Sequence, residues 1–221
     1  MIRLITISRE YGSGGGAIGR LLATQLRWKL LDASVIDEIA KAAKIDPDFA
    51  ERLDEVTDPW FRRVVKAVWQ GGYEGAATGG VETQIVDADI IAAEWHRVIM
   101  ESASIGHCVV VGRGGQCLLQ DREDAFHVAV YAPLEERVDR LRHRLPAGTD
   151  CAALARDFDR KRAAYIFRHF GQDRTNRHLY DLMISSSMGI ERACETILCG
   201  AGLLDSAIRQ QTDSTRRSLG G

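Results

Sequence analysis

Between Leu4 and Leu22 the chain reads LITISREYGSGGGAIGRLL, with glycines at positions 12, 14, 15, 16 and 19. Residues of this type do chemistry through what they leave out: no side chain keeps an anion from the backbone, and positive φ angles come without steric cost. Before the glycines, Ile5 and Ile7 alternate with Thr6 and Ser8 as in a strand; after them Ala17, Ile18, Leu21, Leu22 and Leu26 recur at helical spacing. A helix that starts at this turn leaves unpaired N–H groups and the positive end of its dipole facing the glycines. The backbone of Gly12, Ser13, Gly14, Gly15, Gly16 and Ala17 therefore reads as an anion site whose default ligand is a phosphate, the alternative on this stretch alone being a glycine-rich loop with no ligand.

Two phosphate-binding signatures compete for these residues. Gly14 to Gly19 satisfies G-x-G-x-x-G, the dinucleotide fingerprint, but that fingerprint wants a second full strand ending in an acid roughly 20 positions further on. Asp32 comes only thirteen residues after Gly19, behind a strand little longer than Leu30-Leu31. The P-loop pattern G-x-x-x-x-G-K-[ST] fits in degenerate form: with Gly14 as its last glycine, Arg9 takes the first glycine, Gly15 the lysine and Gly16 the hydroxyl residue. Of the nearby cations, Arg9 leaves the strand just before the turn and is the expected stand-in for that lysine. Arg20 lies one helical turn beyond Gly16 and points away.

These residues need a sheet and helices to position them. A chain of 221 residues is long enough for one α/β domain with a full core, and a net charge of −2 gives no general attraction to nucleic acid or an anionic membrane. The start, MIRLITISRE, lacks the apolar region of a signal peptide, and no apolar run approaches a membrane span, so a cytoplasmic location is expected. The five cysteines, 108, 117, 151, 194 and 199, form no C-x-x-C pair and read as reduced core residues without a metal. HCVVVGR at 107–113 is a second buried strand stopped by glycine. Strands at 125–131 and 182–185 alternate with helices at 133–145, 151–170 and 190–199, which argues for a parallel sheet covered by helices. From Ile45 to Ile105 no strand is evident. Asp46-Pro47 and Asp58-Pro59 mark helix starts, QGGYEGAATGG at 70–80 is a loop, and a long amphipathic helix covers 81–104. Trp60, Trp69 and Trp95 are expected in its core. The polar residues 205–221 form a tail.

Charge concentrates late in the chain: residues 134–180 hold eleven Lys/Arg against seven Asp/Glu. The densest piece is RDFDRKRAAYIFRHF, with Arg156 and Arg160 one helical turn apart and Asp159 and Arg162 on a neighbouring face. Solvated helix charges would explain the run; an arginine lid closing over phosphates is the functional alternative.

LITISREYGSGGGAIGRLLATQL, WKLLDASVID, CVVVGRG, HVAVYAPLEERVDR, DFDRKRAAY and YDLMISSSMGIERA, in this order and at these spacings, resemble the cytidylate kinase-like proteins, a branch of the P-loop nucleoside monophosphate kinases. The resemblance implies a P-loop kinase three-layer sandwich, α/β in class: a parallel sheet flanked by helices, with a helical NMP-binding insertion and an arginine-rich lid. It sets one domain over 1–204, with core at about 1–44 and 106–204, insertion at 45–105 and lid at 146–170. It implies that Asp32 contacts the sugar of the acceptor nucleotide and Arg113 its phosphate. Asp159, Arg160 and Arg162 would clamp the transferring phosphoryl group, with ATP as donor and Mg²⁺ held mainly by the nucleotide phosphates. Small-molecule nucleotides are the expected partners, with no nucleic acid or membrane. The sequence departs from the family pattern at Gly114, where cytidylate kinases proper carry aspartate, and at Gly15. A nucleotide-binding regulatory protein of the same fold, weak or inactive in transfer, is the alternative function.

Overall fold

The computed structural model describes residues 1–32 and 81–205. The expected helix starts at Asp46-Pro47 and Asp58-Pro59, the glycine-rich loop, Trp60, Trp69 and the tail beyond Asp205 lie outside them. The chain divides into two compact units, Met1–Leu31 with Gly106–Gly221, and Asp32–Ile105.

In the first unit, β1 (Leu4–Arg9) is the middle strand of a five-stranded parallel sheet in the order β2 (Lys29–Asp32), β3 (Cys108–Val111), β1, β4 (Ala125–Tyr131), β5 (Leu182–Ser185). Its neighbours pair in register, Ile7 opposite Val111 on one side and Val128 on the other. A central strand has no solvent face, which is why Thr6 is as buried as Ile5 and Ile7. The hydroxyl of Thr6 settles 2.8 Å from Nδ1 of His127, its register partner on β4.

Alternation sorts the sheet's side chains. Ile5, Ile7, Val109, Val111, Val128 and Val130 share one core with Ile18, Leu22 and Leu26 of α1 (Gly15–Leu26). Each of those three helical residues contributes about 1.5–3 kcal/mol through burial. The short α3 (Gly115–Leu118) approaches so closely that a Cβ on Gly115 would stand 3.0 Å from Val110 Cγ1 and 3.6 Å from Thr6 Cβ. Beyond β4, α4 (Leu134–Arg142) packs through Val138 and Leu141 on Cys151 and Ala155 of α5 (Cys151–Phe170). Asp150 caps α5 by accepting from the Ala153 N–H at 2.9 Å, and Gly171 ends it in the left-handed conformation. The last helix, α6 (Ile190–Gly200), returns to the β1 core through Ala193, Cys194, Ile197 and Leu198.

The elements differ from expectation mostly at their ends. Positive φ at His107 and Gly112 turns the backbone out of the extended region and trims the strand expected over 107–113 to Cys108–Val111. The helix expected over 133–145 is Leu134–Arg142, with Pro133 as its N-cap. Cys108, Cys117, Cys151 and Cys194 are buried, but Cys199 is exposed, because the buried stripe of α6 passes through Cys194 and Leu198 and leaves residue 199 outside. Burial pushes the thiols of Cys108 and Cys117 up to about 11 and that of Cys194 to about 12, which keeps them protonated and unreactive.

In the second unit, α2 (Val81–Ile105) buries Ala92, Trp95, Val98, Ile99 and Ala103, a stripe at helical spacing that makes Trp95 a core residue. No helix among the described residues is long and apolar enough to cross a membrane.

Candidate functional site

β1 leaves the sheet through Glu10-Tyr11-Gly12-Ser13-Gly14 and becomes α1. Gly12 and Gly14 have φ of 82° and 81°, and Gly14 is the N-cap, where no side chain caps the helix. Ser13 is fully buried, and both its N–H and its hydroxyl go to the Glu10 carbonyl, at 3.3 and 2.9 Å. The first turn of α1 thus keeps its N–H groups without a capping oxygen, as an anion site requires.

Arginines hold the carbonyls of Arg9, Tyr11 and Gly12 in this loop. Arg162 Nη1 and Arg174 Nη2 donate to the Arg9 carbonyl at 3.0 and 3.3 Å. Arg137 Nη1 donates to the Tyr11 carbonyl at 3.1 Å, and Arg140 Nη1 to that of Gly12 at 3.4 Å. Asp159 ties the arginines together. Its carboxylate accepts from the Tyr11 N–H at 2.8 Å and from Arg137 Nη1 at 2.6 Å, and it lies 3.6 Å from Arg174 Nη1. Tyr11 stacks on Phe158 with centroids 4.2 Å apart, and the Arg162 guanidinium lies 5.5 Å from the Tyr11 ring. Glu10 anchors the loop to the end of β4, accepting from the Ala132 N–H at 3.1 Å, with Arg137 Nε 3.5 Å from the same oxygen. On the far side the Tyr180 hydroxyl donates to the Arg174 carbonyl at 2.8 Å and lies 3.2 Å from Ser8 Oγ. Burial raises this phenol above its ordinary value, against the hydrogen bond with Ser8, and keeps it a neutral donor.

One strand over, β3 ends in Gly112-Arg113-Gly114, with φ of 82°, 53° and 74° in succession. A non-glycine residue held there costs about 1–2 kcal/mol, strain of the kind that gathers at functional sites. The Arg113 guanidinium lies 5.6 Å from the ring of Tyr165 on α5, and the ring of Phe170 fills the place of a side chain on Gly114.

The sequence-expected residues therefore divide. Gly12, Ser13, Gly14, Gly15, Gly16, Ala17 and Arg9 form one loop, and Asp159 and Arg162 reach it from α5. Arg160 does not: its side chain is 80 % exposed and bonds Asp157 at 2.6 Å. Asp159 and Arg162 are three residues apart and share a helical face, whereas Arg160 is turned about 100° from Asp159 toward solvent. Asp159 itself is engaged in holding the loop, so it is a positioning group. Arg113 stands at the end of β3 as expected. Asp32 ends β2 with 3 % of its surface exposed and begins the second unit. Arg137, Arg140 and Arg174 were missed. Nothing in LEERVDR separates the inward Arg137, 7 % exposed, from the solvent-facing charges around it, except that Val138 and Leu141 set the buried face of α4.

Among the described residues no group of three or more His, Cys, Asp or Glu gathers as a metal site.

A model of the cytidylate kinase-like family matches residues 4–188, most of the chain. The chain belongs to the cytidylate kinase-like family. The family and the parallel sheet flanked by helices together give it the P-loop kinase fold. An uncharacterized protein from Eubacterium ventriosum ATCC 27560 has the same fold: TM-score 0.62 and 19 % identity, over 93 % of this chain and 99 % of that one. A shikimate kinase from Bacteroides thetaiotaomicron superposes at TM-score 0.48 with 14 % identity over 88 % of this chain and 96 % of its own. A gluconokinase from Sinorhizobium meliloti 1021 reaches TM-score 0.48 with 11 % identity over 94 % and 96 % of the two chains. No curated protein matches the sequence.

Proposed function

We propose that this protein transfers the γ-phosphoryl group of ATP to a nucleoside monophosphate, foremost CMP or dCMP. The observation that carries the reading is the β1 loop: uncapped N–H groups at the start of α1, with Arg162 of the lid helix bonded to the Arg9 carbonyl that leads into the loop. Phosphoryl transfer asks a protein for positioning and for charge matched to the transferring oxygens, and these are the two things the loop offers. Backbone N–H groups of residues 14–17 receive the donor phosphates without a side chain, that of Ser13 being bonded to the Glu10 carbonyl. Arg162, whose planar fork suits phosphate oxygens, is the group to meet charge as it develops, while Asp159 fixes the helix face that presents it. Arg113 is assigned the acceptor phosphate and Asp32 the acceptor sugar.

The loop's side chains offer little to Mg²⁺, because the Ser13 hydroxyl is bonded to Glu10 and residue 16 is glycine. The ion is accordingly assigned to the nucleotide phosphates, whose charge it would neutralise when bound. Glycine at position 15 favours a second reading, a nucleotide-binding regulatory protein that has given up transfer. A coupled ADP-release assay over CMP, dCMP, UMP, AMP and GMP separates the two. Turnover with a cytidine nucleotide well above the others supports the proposal, whereas no turnover with any acceptor, beside intact ATP binding by calorimetry, selects the regulatory reading.

A further inference from the structure

Gly15 and Gly112 lie on different strand ends, yet one side chain runs past both. A Cβ on Gly15 would stand 2.6 Å from Arg9 Cβ and 3.1 Å from Arg9 Cγ. At the other end of that side chain, a Cβ on Gly112 would fall on Arg9 Nη1 and 2.8 Å from Cζ. The aliphatic stem of Arg9 therefore covers the position from which a P-loop lysine would project. Its guanidinium rests against the turn that carries Arg113. The backbone of the same residue is fixed, since the Arg9 carbonyl accepts from both Arg162 and Arg174.

Building on the kinase reading, we propose that Arg9 is the cation shared by donor and acceptor phosphates, and that positions 15 and 112 are glycine to admit its side chain. An ammonium on α1 would be a point charge at the donor alone. A guanidinium reaching from the loop to the β3 turn presents several N–H donors in a plane and can bond oxygens of two phosphoryl groups at once. Such a contact grows stronger as the phosphoryl group passes between them, so its loss falls on turnover more than on either binding step. The geometry also predicts that lysine at position 15 conflicts with Arg9 while Arg9 is present.

Steady-state kinetics with both substrates varied, on the full chain, test this. Arg9→Ala is expected to lower kcat about 100-fold or more while each KM moves less than tenfold. Gly15→Lys alone should also be impaired, because its Cβ meets the Arg9 stem. Because alanine keeps the Cβ that lies 2.6 Å from a Cβ on Gly15, the double variant is Arg9→Gly/Gly15→Lys, which should recover at least tenfold over Arg9→Gly. Gly112→Ala displaces the guanidinium without removing it, and its loss should not add to that of Arg9→Ala. Thermal unfolding accompanies each variant, so that a fall in kcat is read only at an unchanged folded fraction; if Arg9→Ala does not fold, Gly112→Ala and Arg9→Lys carry the comparison. Wild-type kcat in Arg9→Ala, a double variant no better than the single one, or additive losses at 9 and 112 would overturn the proposal and leave the kinase reading standing. A wild-type protein that transfers to no monophosphate would instead sink the kinase reading itself, and this proposal with it.

Discussion

Two neighbouring strands of the sheet end in the same way and lead to different things. β1 runs into Gly12-Ser13-Gly14 and β3 into Gly112-Arg113-Gly114; both first glycines have φ of 82°, and both last glycines are left-handed N-caps. The helix that follows the first turn has 12 residues, and the helix that follows the second has 4. A long helix brings a dipole and a row of free N–H groups, so its turn can bind an anion with backbone alone. A single-turn helix brings neither, and there the charge is a side chain, Arg113, held at positive φ. Under the proposed function, a polyphosphate donor belongs on the first turn and a lone acceptor phosphate on the second.

The strongest way to break that comparison is to remove the group that closes over the first turn. Arg162→Ala should reduce kcat about 10³-fold while ATP affinity changes little, as expected of an arginine acting on the transferring group. Stopped-flow or coupled turnover set beside calorimetry reads both, and a change confined to KM would reassign Arg162 to ground-state binding. Next is the scaffold of arginines and carboxylates beneath the first turn. Arg137→Ala takes the buried cation from Asp159 and Glu10, leaves Asp159 only Arg174 at 3.6 Å, and should destabilise the fold by about 1–3 kcal/mol, read as a lowered urea midpoint.

A smaller effect concerns the sheet beneath both turns. Burial lowers the pKa of His127, against the pull of Asp181, so the folded protein holds this imidazole neutral where the unfolded chain protonates it near 6.5. Its contribution to stability is then complete above the unfolded value and is lost as pH falls below it toward the depressed folded value. His127→Gln should flatten the fall in urea midpoint between pH 7 and pH 5; an unchanged slope would contradict the assignment. The smallest effect is expected at Arg160→Ala, on the solvent face of α5, where kcat should stay within about twofold. A large loss there would mean that the lid rotates on binding and brings Arg160 inward.

Much of this was legible in the sequence, for reasons that can be stated. Buried parallel strands must be apolar, so CVVV and AFHVAVY announced β3 and β4, and a glycine turn between a strand and a helical pattern announced the phosphate loop. The phase of DRKR was not legible, because three cations in four residues satisfy the same pattern and only the packing of Cys151, Ala155 and Ile166 fixes which of them faces the loop. Arg137 was hidden for a similar reason: its partners are Tyr11, 126 residues earlier, and Asp159, 22 residues later, and no local spacing encodes them. The crossing of Arg9 over Gly15 and Gly112 depends on β1 and β3 being neighbours, a topological fact that composition does not contain.

The division of labour between the two turns is tested most directly by crossed calorimetry, with MgATP and CMP titrated separately into Gly16→Asp and Arg113→Gly. Aspartate in the first turn of α1 suits the helix dipole but repels a phosphate, so Gly16→Asp should stay folded and lose ATP affinity by about tenfold or more. Glycine at 113 removes the guanidinium and its contact with Tyr165 while relieving a positive φ, so Arg113→Gly should stay folded and lose about 10- to 150-fold in CMP affinity. The account predicts that each variant keeps the other ligand within about threefold of the parent. Loss of both ligands in either folded variant, or an exchange of which ligand is lost, would contradict it.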